Sequence, residues 1–487
     1  MRFHRLLFGC VLALLASCAE GTRPEPRPNL VLICADTLRS DHLGVNGYAR
    51  ETSPHLDALA RGGANFERSF STYPQTAASV ASIFSSLYPS AHKVSEHKLI
   101  LSSAPPLLAE TLLQAGYRTA AVATNPHLTP GLGFERGFER FLYIHGRNQE
   151  RSSYETPGGP PQAGVEFRQS KGSYYGRGDD VNQAALEWLD QGASEQPFYL
   201  YLHYMDVHSP YVSPEPFQDR FVQAEGRNVY QNGLPKGRPS LANQEFTRAR
   251  YDGGIAYLDH VFGELQAGLA ERGLIQNTYL VFTADHGDEF MEHGGFGHGE
   301  TLYREMTQVP LFISGPGLSA RTIQAPVSGV DLFPTLCELL GVPAPAGLQG
   351  ASLAPLMQGT QLPGGSVLTR SLSEGLETRG RDGERRSRLA LFDERWHLIY
   401  YPEGRQGELY DYLADPTESQ DFWDTAPKEA QRLAERALEL RNQAQKRGAG
   451  IQAQQAVLGA GTEAALQELG YGGKDEEEEV EDPREQR

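Results

Sequence analysis

Cysteine is scarce in this chain, with 4 residues in 487, which excludes a small disulfide-stapled scaffold. Positive charge is in deficit too. Lysine and arginine number 44 against 62 aspartates and glutamates, a formal net charge of -18, so nucleic acid and anionic membrane surfaces are poor partners. There is no apolar run long enough to span a bilayer permanently, and no internal repeat of fixed period. What is present is 39% hydrophobic residues with 52 glycines and 31 prolines, the balance of a loop-rich α/β enzyme and not of a disordered or fibrous protein. The length exceeds what one core fills, so a large catalytic domain with a smaller companion is expected.

The two ends stand apart from the rest. Arg2 and Arg5 followed by "LLFGCVLALLA" form an export signal over residues 1–17. Its end, "LASC" at Leu15 to Cys18, resembles the bacterial lipoprotein cleavage box, in which the cysteine is lipidated; an ordinary signal peptide with an incidental Cys18 is the alternative. Residues 18–27 then read as a flexible tether, and the expected location is the bacterial cell envelope, held to a membrane through the lipid alone. A catalytic domain is expected over 28–345, a C-terminal subdomain over 346–425, a helix over 426–448 and a disordered acidic tail over 449–487, which ends in "KDEEEEVEDPREQR". Cys34 and Cys337 lie in apolar stretches and are expected as buried free thiols.

"NLVLICAD" is a continuous apolar run ending in an acid, the pattern of a strand buried on both faces with function at its C-terminal edge. "TYLVFTADHGDEF", "YRTAAVATN", "FYLYLHYMDVH" and "VPLFISGPG" read the same way, and helical patterns alternate with them. A doubly wound, mainly parallel α/β sheet is therefore expected, followed by a small antiparallel subdomain. Residues 144–180, rich in Gly, Ser, Pro and Arg, interrupt the alternation and read as a lid or binding loop; together with 212–245 they are where substrate recognition is expected. Three strands end in metal-type ligands: Asp36, then Asp206 with His208, then Asp285 with His286. Carboxylates and an imidazole meeting at one sheet edge suit a divalent cation such as Mn²⁺, Zn²⁺ or Mg²⁺. "STYPQTAASVAS", residues 71–82, precedes an apolar helix pattern with a run of hydroxyls and alanines, which suits a nucleophilic hydroxyl at a positive helix end.

These motifs, together with "ASIFSSLYPSAHKV", "HYMDVHSPY", "TADHGDEFMEHGGFGHGETLYREMTQVPLFISGPG" and "ELYDYLADPTESQDF", resemble in type and order the sulfatase branch of the alkaline phosphatase superfamily. The resemblance covers roughly residues 28–422 and implies an alkaline-phosphatase-like fold. It places the nucleophile at Thr76, with Asp36, Asp285 and His286 as the other ligands of one divalent ion, Mn, Zn, Mg or Ca. His208 matches the histidine that protonates the leaving oxygen, and His298 stands where sulfatases often carry an anion-binding lysine. Another such lysine is missing near "VATNPHL", which leaves Asn125 and His127 as oxygen contacts. The family's usual second acid after Asp36 is Thr37 here. His203, His293, Glu292 and Arg39 are expected to orient ligands or fix helix ends.

The nucleophile segment departs from true sulfatases. Those carry Cys or Ser, then Pro two residues on and Arg four residues on, the signal for conversion to formylglycine; here the positions are Thr76, Ala78 and Val80. No formylglycine is expected. A threonine ester cannot collapse to an aldehyde as a formylglycine hydrate does, so it must be attacked by water at phosphorus or sulfur, which tilts the chemistry toward phosphate or phosphonate. The resulting expectation is a metal-dependent hydrolase of phosphate, phosphonate or sulfate esters on small molecules or glycans, with Ser79 as reserve nucleophile. A second ion on Asp206, His208 and His298 is a further possibility. Two other readings are a transferase passing a phosphoryl group to a cell-surface glycan, and a catalytically silent binding member of the family.

Overall fold

The computed structural model describes residues 27–95, 99–147, 164–172, 174–192, 196–223, 225–229, 239–360, 371–376 and 387–468. Cys18 and residues 469–487 lie outside them. Nine strands form the main sheet: β1 (Asn29–Ala35), β2 (Ala64–Phe66), β3 (Arg118–Ala123), β4 (Arg140–His145), β5 (Val165–Gln169), β6 (Phe198–Tyr204), β7 (Thr278–Ala284), β8 (Leu311–Ser314) and β9 (Arg321–Ile323). Their spatial order is β9-β2-β8-β7-β1-β6-β3-β4-β5. From β7 to β5 every pairing is parallel.

The continuous apolar run of β1 has a direct cause. Leu30, Leu32 and Cys34 enter one hydrophobic cluster while Val31, Ile33 and Ala35 enter another, one on each face. Helices cover both. On the Val31 side lie α1 (Pro54–Gly62), α4 (Gly178–Asp190) and α5 (Leu241–Glu271). Across the sheet lie α2 (Thr76–Ser85), α3 (Leu108–Gln114) and α6 (Leu332–Leu339). Cys34 and Cys337 are both buried and free. None of the described helices is long and apolar enough to cross a membrane.

Three expectations need correction. "VPLFISG" gives β8, but it pairs antiparallel to β7, because the chain leaves β7 into a hairpin at the strand ends and returns without the helical crossover that parallel pairing needs. The segment 144–180 is not wholly a loop, since it contributes the edge strand β5, and α4 begins at Gly178; residues 148–163 lie outside the described ones. Residues 449–468 are not disordered tail: Gln454–Gln455 pairs with Leu99–Ile100, and Ala465 and Leu466 on a helix at Ala460–Glu468 are buried. Ala465 joins the main core with Ala456 and Leu458 packed against it, and the acid run begins beyond them.

The companion unit is a four-stranded antiparallel sheet, β10 (Ser371–Leu376), β11 (Ser387–Phe392), β12 (Trp396–Tyr401) and β13 (Gln406–Asp411), in that order. Helix α7 (Pro427–Arg447) closes it. Leu433, Ala437 and Leu440 of α7 pack with Leu389, Leu391 and Leu398 of the sheet and with Leu87 and Tyr88 of the catalytic unit.

Candidate active site

The ends of β1 and β7 bring Asp36 and Asp285 side by side, both fully buried. Thr76 opens α2, so its hydroxyl stands at the positive end of that helix. Thr76 Oγ1 donates to Asp36 Oδ2 at 3.3 Å and accepts from Asn125 Nδ2 at 3.2 Å, and it lies 3.5 Å from His286 Nε2. His286 Nδ1 donates to the Gly287 carbonyl at 2.9 Å, which leaves Nε2 as the lone pair, 3.8 Å from Asp36 Oδ1 and 3.6 Å from Asp285 Oδ2. Two ligands of one ion with bonds of about 2.1 Å stand about 3.0 to 3.4 Å apart, so His286 Nε2 and its three neighbours need approach by only a few tenths of an ångström. Asp36 Oδ1 and Asp285 Oδ2 are buried without a hydrogen-bond partner among the described residues. Unpartnered carboxylate oxygens at zero exposure are costly, and a divalent cation fits the place they point to.

The surroundings fix these ligands. Asn125 Nδ2 donates to Asp36 Oδ2 at 2.5 Å as well as to Thr76, and its own Oδ1 accepts from His127 N at 2.7 Å. His203 Nε2 donates to Asp36 Oδ2 at 3.0 Å, and Tyr201 donates to its Nδ1 at 2.9 Å. Asp36, His203 and Asp285 form one of two groups of metal-type donors among the described residues. Burial raises the Asp36 carboxyl, but the His203 hydrogen bond and the nearby histidine charges outweigh it and hold the group well below the carboxylate range. Asp285 moves the other way, raised by burial and by the Asp36 charge. Thr37 holds a left-handed backbone at φ 57° and donates its N–H to Asp285 Oδ1 at 3.2 Å. A β-branched residue rarely adopts that conformation, and here it turns the chain sharply after Asp36.

His208 and His298 form the opposite wall, their rings 4.9 Å apart and His298 4.7 Å from His286. His298 Nδ1 donates to Asp288 Oδ1 at 2.9 Å; Tyr211 donates to the other oxygen of Asp288. Burial lowers the His298 pKa to about 4 in spite of Asp288. Asp288 was not singled out from the sequence, although its position two residues after His286 carried the signal. Arg39 binds the Asp288 carbonyl at 3.0 Å and Glu292 at 2.8 Å, tying the hairpin that bears His298 to the end of β1. His293 pairs with Glu305 at 2.5 Å.

Two expected roles fail on geometry. Ser79 is not a spare nucleophile, because its hydroxyl donates to the Asp285 carbonyl at 2.7 Å and thereby positions the turn after β7. Asp206 does not join His208 and His298: its Oδ1 accepts from Gly178 N at 3.0 Å at the start of α4, and a Cβ on Gly178 would meet its Oδ2 at 2.7 Å. His127 is buried, and its backbone N–H donates to Asn125 Oδ1, bracing the side chain that contacts Asp36 and Thr76.

Comparison with known proteins gives the family. Residues 28–342 match the family described as Sulfatase, and residues 291–446 match the C-terminal region of N-sulphoglucosamine sulphohydrolase. An arylsulfatase of Clostridium perfringens is 26% identical over 383 residues, covering 68% of this chain and 79% of that protein. The phosphonate monoester hydrolase of Agrobacterium radiobacter superposes with a TM-score of 0.67 at 22% identity, covering 86% of this chain and 96% of its own. A protein solved with its substrate D-glucosamine-2-N,6-O-disulfate superposes at 0.66 with 18% identity, covering 86% and 98%. At those identities the two structures speak for the fold alone. The match over residues 28–342 shows that this chain is a sulfatase-like ester hydrolase and belongs to the sulfatase family.

Proposed function

We propose that the protein is a metal-dependent hydrolase of phosphate, phosphonate or sulfate esters in which the Thr76 hydroxyl is the nucleophile. The observation that carries this is the position of Thr76 Oγ1, buried at a helix N-terminus within 3.5 Å of His286 and of Asp36, beside two unpartnered carboxylate oxygens. Asp36, Asp285, His286 and Thr76 would hold one divalent cation, and His203 stands close enough to Asp36 to brace it. Such an ion supplies the Lewis acidity that lets an alcohol ionise near neutral pH. Asn125 fixes the rotamer of Thr76 and the orientation of Asp36 at once. His208, facing the site across from Thr76, is placed to give a proton to the leaving oxygen. His298, held by Asp288, supplies a neutral imidazole where a fixed positive charge would otherwise sit. Water then releases the anion from threonine by in-line attack.

The hydroxyl at position 76 is tested by turnover of aryl sulfate, phosphate, phosphodiester and phosphonate esters in the presence of Mn²⁺, Zn²⁺ or Ca²⁺. Thr76→Ala should abolish turnover and leave the fold intact, whereas Thr76→Ser should keep a measurable fraction. Near-wild-type rates in Thr76→Ala would transfer the role to water. Alanine at His208 should cost about 10² to 10⁴ in rate, least for substrates with a good leaving group.

A further inference from the structure

The second group of metal-type donors uses none of the catalytic ligands. Glu289, His293 and Glu305 each offer one ligand atom, and the three atoms lie within 4.8 Å of one another. Bonds of about 2.1 Å put two ligands of one ion at most about 4.2 Å apart, so a small inward movement closes the set on a cation. Glu289 opens the hairpin in which Glu289–Phe290 pairs with Phe296–Gly297. His293 stands in the turn of that hairpin, and Glu305 follows on the short helical turn Arg304–Thr307.

Glu289 and Glu305 are both buried, at 1% and 8% exposure. Among the described residues the ion pair they make is with His293, whose Nδ1 lies 2.5 Å from Glu305 Oε1; Arg39, which binds Asp41 and Glu292, pairs with neither. Two buried carboxylates thus share one imidazole. Glu289 Oε1 has no hydrogen-bond partner among the described residues, a costly state for a carboxylate oxygen out of water. The chain makes room for this side chain with a glycine: a Cβ on Gly295 would stand 2.2 Å from Glu289 Oε2. His293 Nε2 lies 3.4 Å from the Glu418 carbonyl. A histidine bound to metal through one nitrogen gives its other N–H to such an acceptor, which leaves Nδ1 and its lone pair toward Glu305.

We propose that Glu289, His293 and Glu305 bind a divalent transition-metal ion, Zn²⁺ or Mn²⁺, separate from the one at Asp36 and Asp285, and that this ion clamps the hairpin leading to His298. Two carboxylates and one imidazole are a donor set that such ions take. The proton shared by His293 and Glu305 leaves to solvent as the ion enters. The clamp reaches the catalytic centre through packing. A Cβ on Gly287 would stand 1.9 Å from the Glu305 carbonyl oxygen, and Gly287 N donates to the Met306 carbonyl at 2.8 Å. Gly287 directly follows His286, and His298 directly follows the hairpin's second strand.

Equilibrium dialysis of the full chain against Zn²⁺, and separately against Mn²⁺, followed by elemental mass spectrometry counts the ions per chain. Glu289→Gln should hold about one ion fewer than the wild type, and the same step should appear in an Asp285→Asn background, where the catalytic centre is already impaired. In that background the metal should also raise the Tm by several degrees, and adding Glu289→Gln should erase the rise. An unchanged ion count in Glu289→Gln overturns the proposal and leaves a plain His293–Glu305 ion pair. So does a loss seen only in the wild-type background, which marks the missing ion as the catalytic one. His293→Gln, at the partly exposed corner of the set, serves as a second variant if Glu289→Gln misfolds. A wild type that binds a single ion, lost in Glu289→Gln and kept in Asp285→Asn, would sink the catalytic-metal reading and sustain this one.

Discussion

Asp206 carries a burial penalty of the kind that, at Asp36, the hydrogen bond from His203 and the nearby histidine charges outweigh. One oxygen is satisfied by Gly178 N and the other has no hydrogen-bond partner among the described residues, and burial raises its pKa to about 7. The unfolded chain loses this proton near pH 4, well before the folded one does. Stability from this group is therefore complete below about pH 4 and is lost as pH rises through about 7. Asp206→Asn should raise the Tm by a few degrees at pH 8, match wild type near pH 4, and keep kcat. Loss of bound metal and of activity in that variant would reinstate a second ion. Ser79→Ala removes one of two hydroxyl donors to the Asp285 carbonyl, so it should cost about 1 kcal/mol of stability and preserve turnover; an inactive but folded Ser79→Ala would overturn its structural role. The positions of Asp36, Asp285 and His286 were legible because each follows an apolar run that can only be a buried strand. Asp206 reads identically in sequence. What separates it is the start of α4, brought in from 28 residues earlier, and no local pattern announces such a contact.

Helix and strand order was equally plain, since the two-faced burial of β1 and the 3.6-residue period of α1 and α4 are local properties. Direction was not, because the antiparallel course of β8 depends on the absence of a crossover and not on its own residues. The final helix, Ala460–Glu468, was hidden for another reason: its apolar content is thin, and it lies beside an acid run that dominates the composition. Its core contribution can be measured. Ending the chain after residue 452 removes the Gln454–Gln455 pairing and uncovers the core where Ala465 and Leu466 sit. Burying one leucine is worth about 1.5 to 3 kcal/mol, so thermal unfolding of the truncated protein should begin several degrees lower, with activity at 25 °C retained. An unchanged melting curve would return the segment to the tail.

For the whole molecule, the exported and lipid-anchored location remains our proposal from "LASC". Palmitate labelling in a bacterial host should mark the wild type and spare Cys18→Ala; a mature N-terminus beyond Cys18 without an acyl group would refute the anchor. If the anchor exists, the polarity of β1 and the length of the tether decide what it can reach. Asn29 begins that strand and Asp36 follows its end, so the attachment point and the reacting edge are separated by the full depth of the sheet, about 23 Å for seven residues. The reacting edge therefore lies at the end of the sheet opposite the strand end from which the tether leaves. A flexible tether of ten residues can extend over about 33 to 36 Å, more than that depth, so a Cys18 anchor would let Thr76 meet solutes from the surrounding space and also turn toward a donor in the anchoring leaflet.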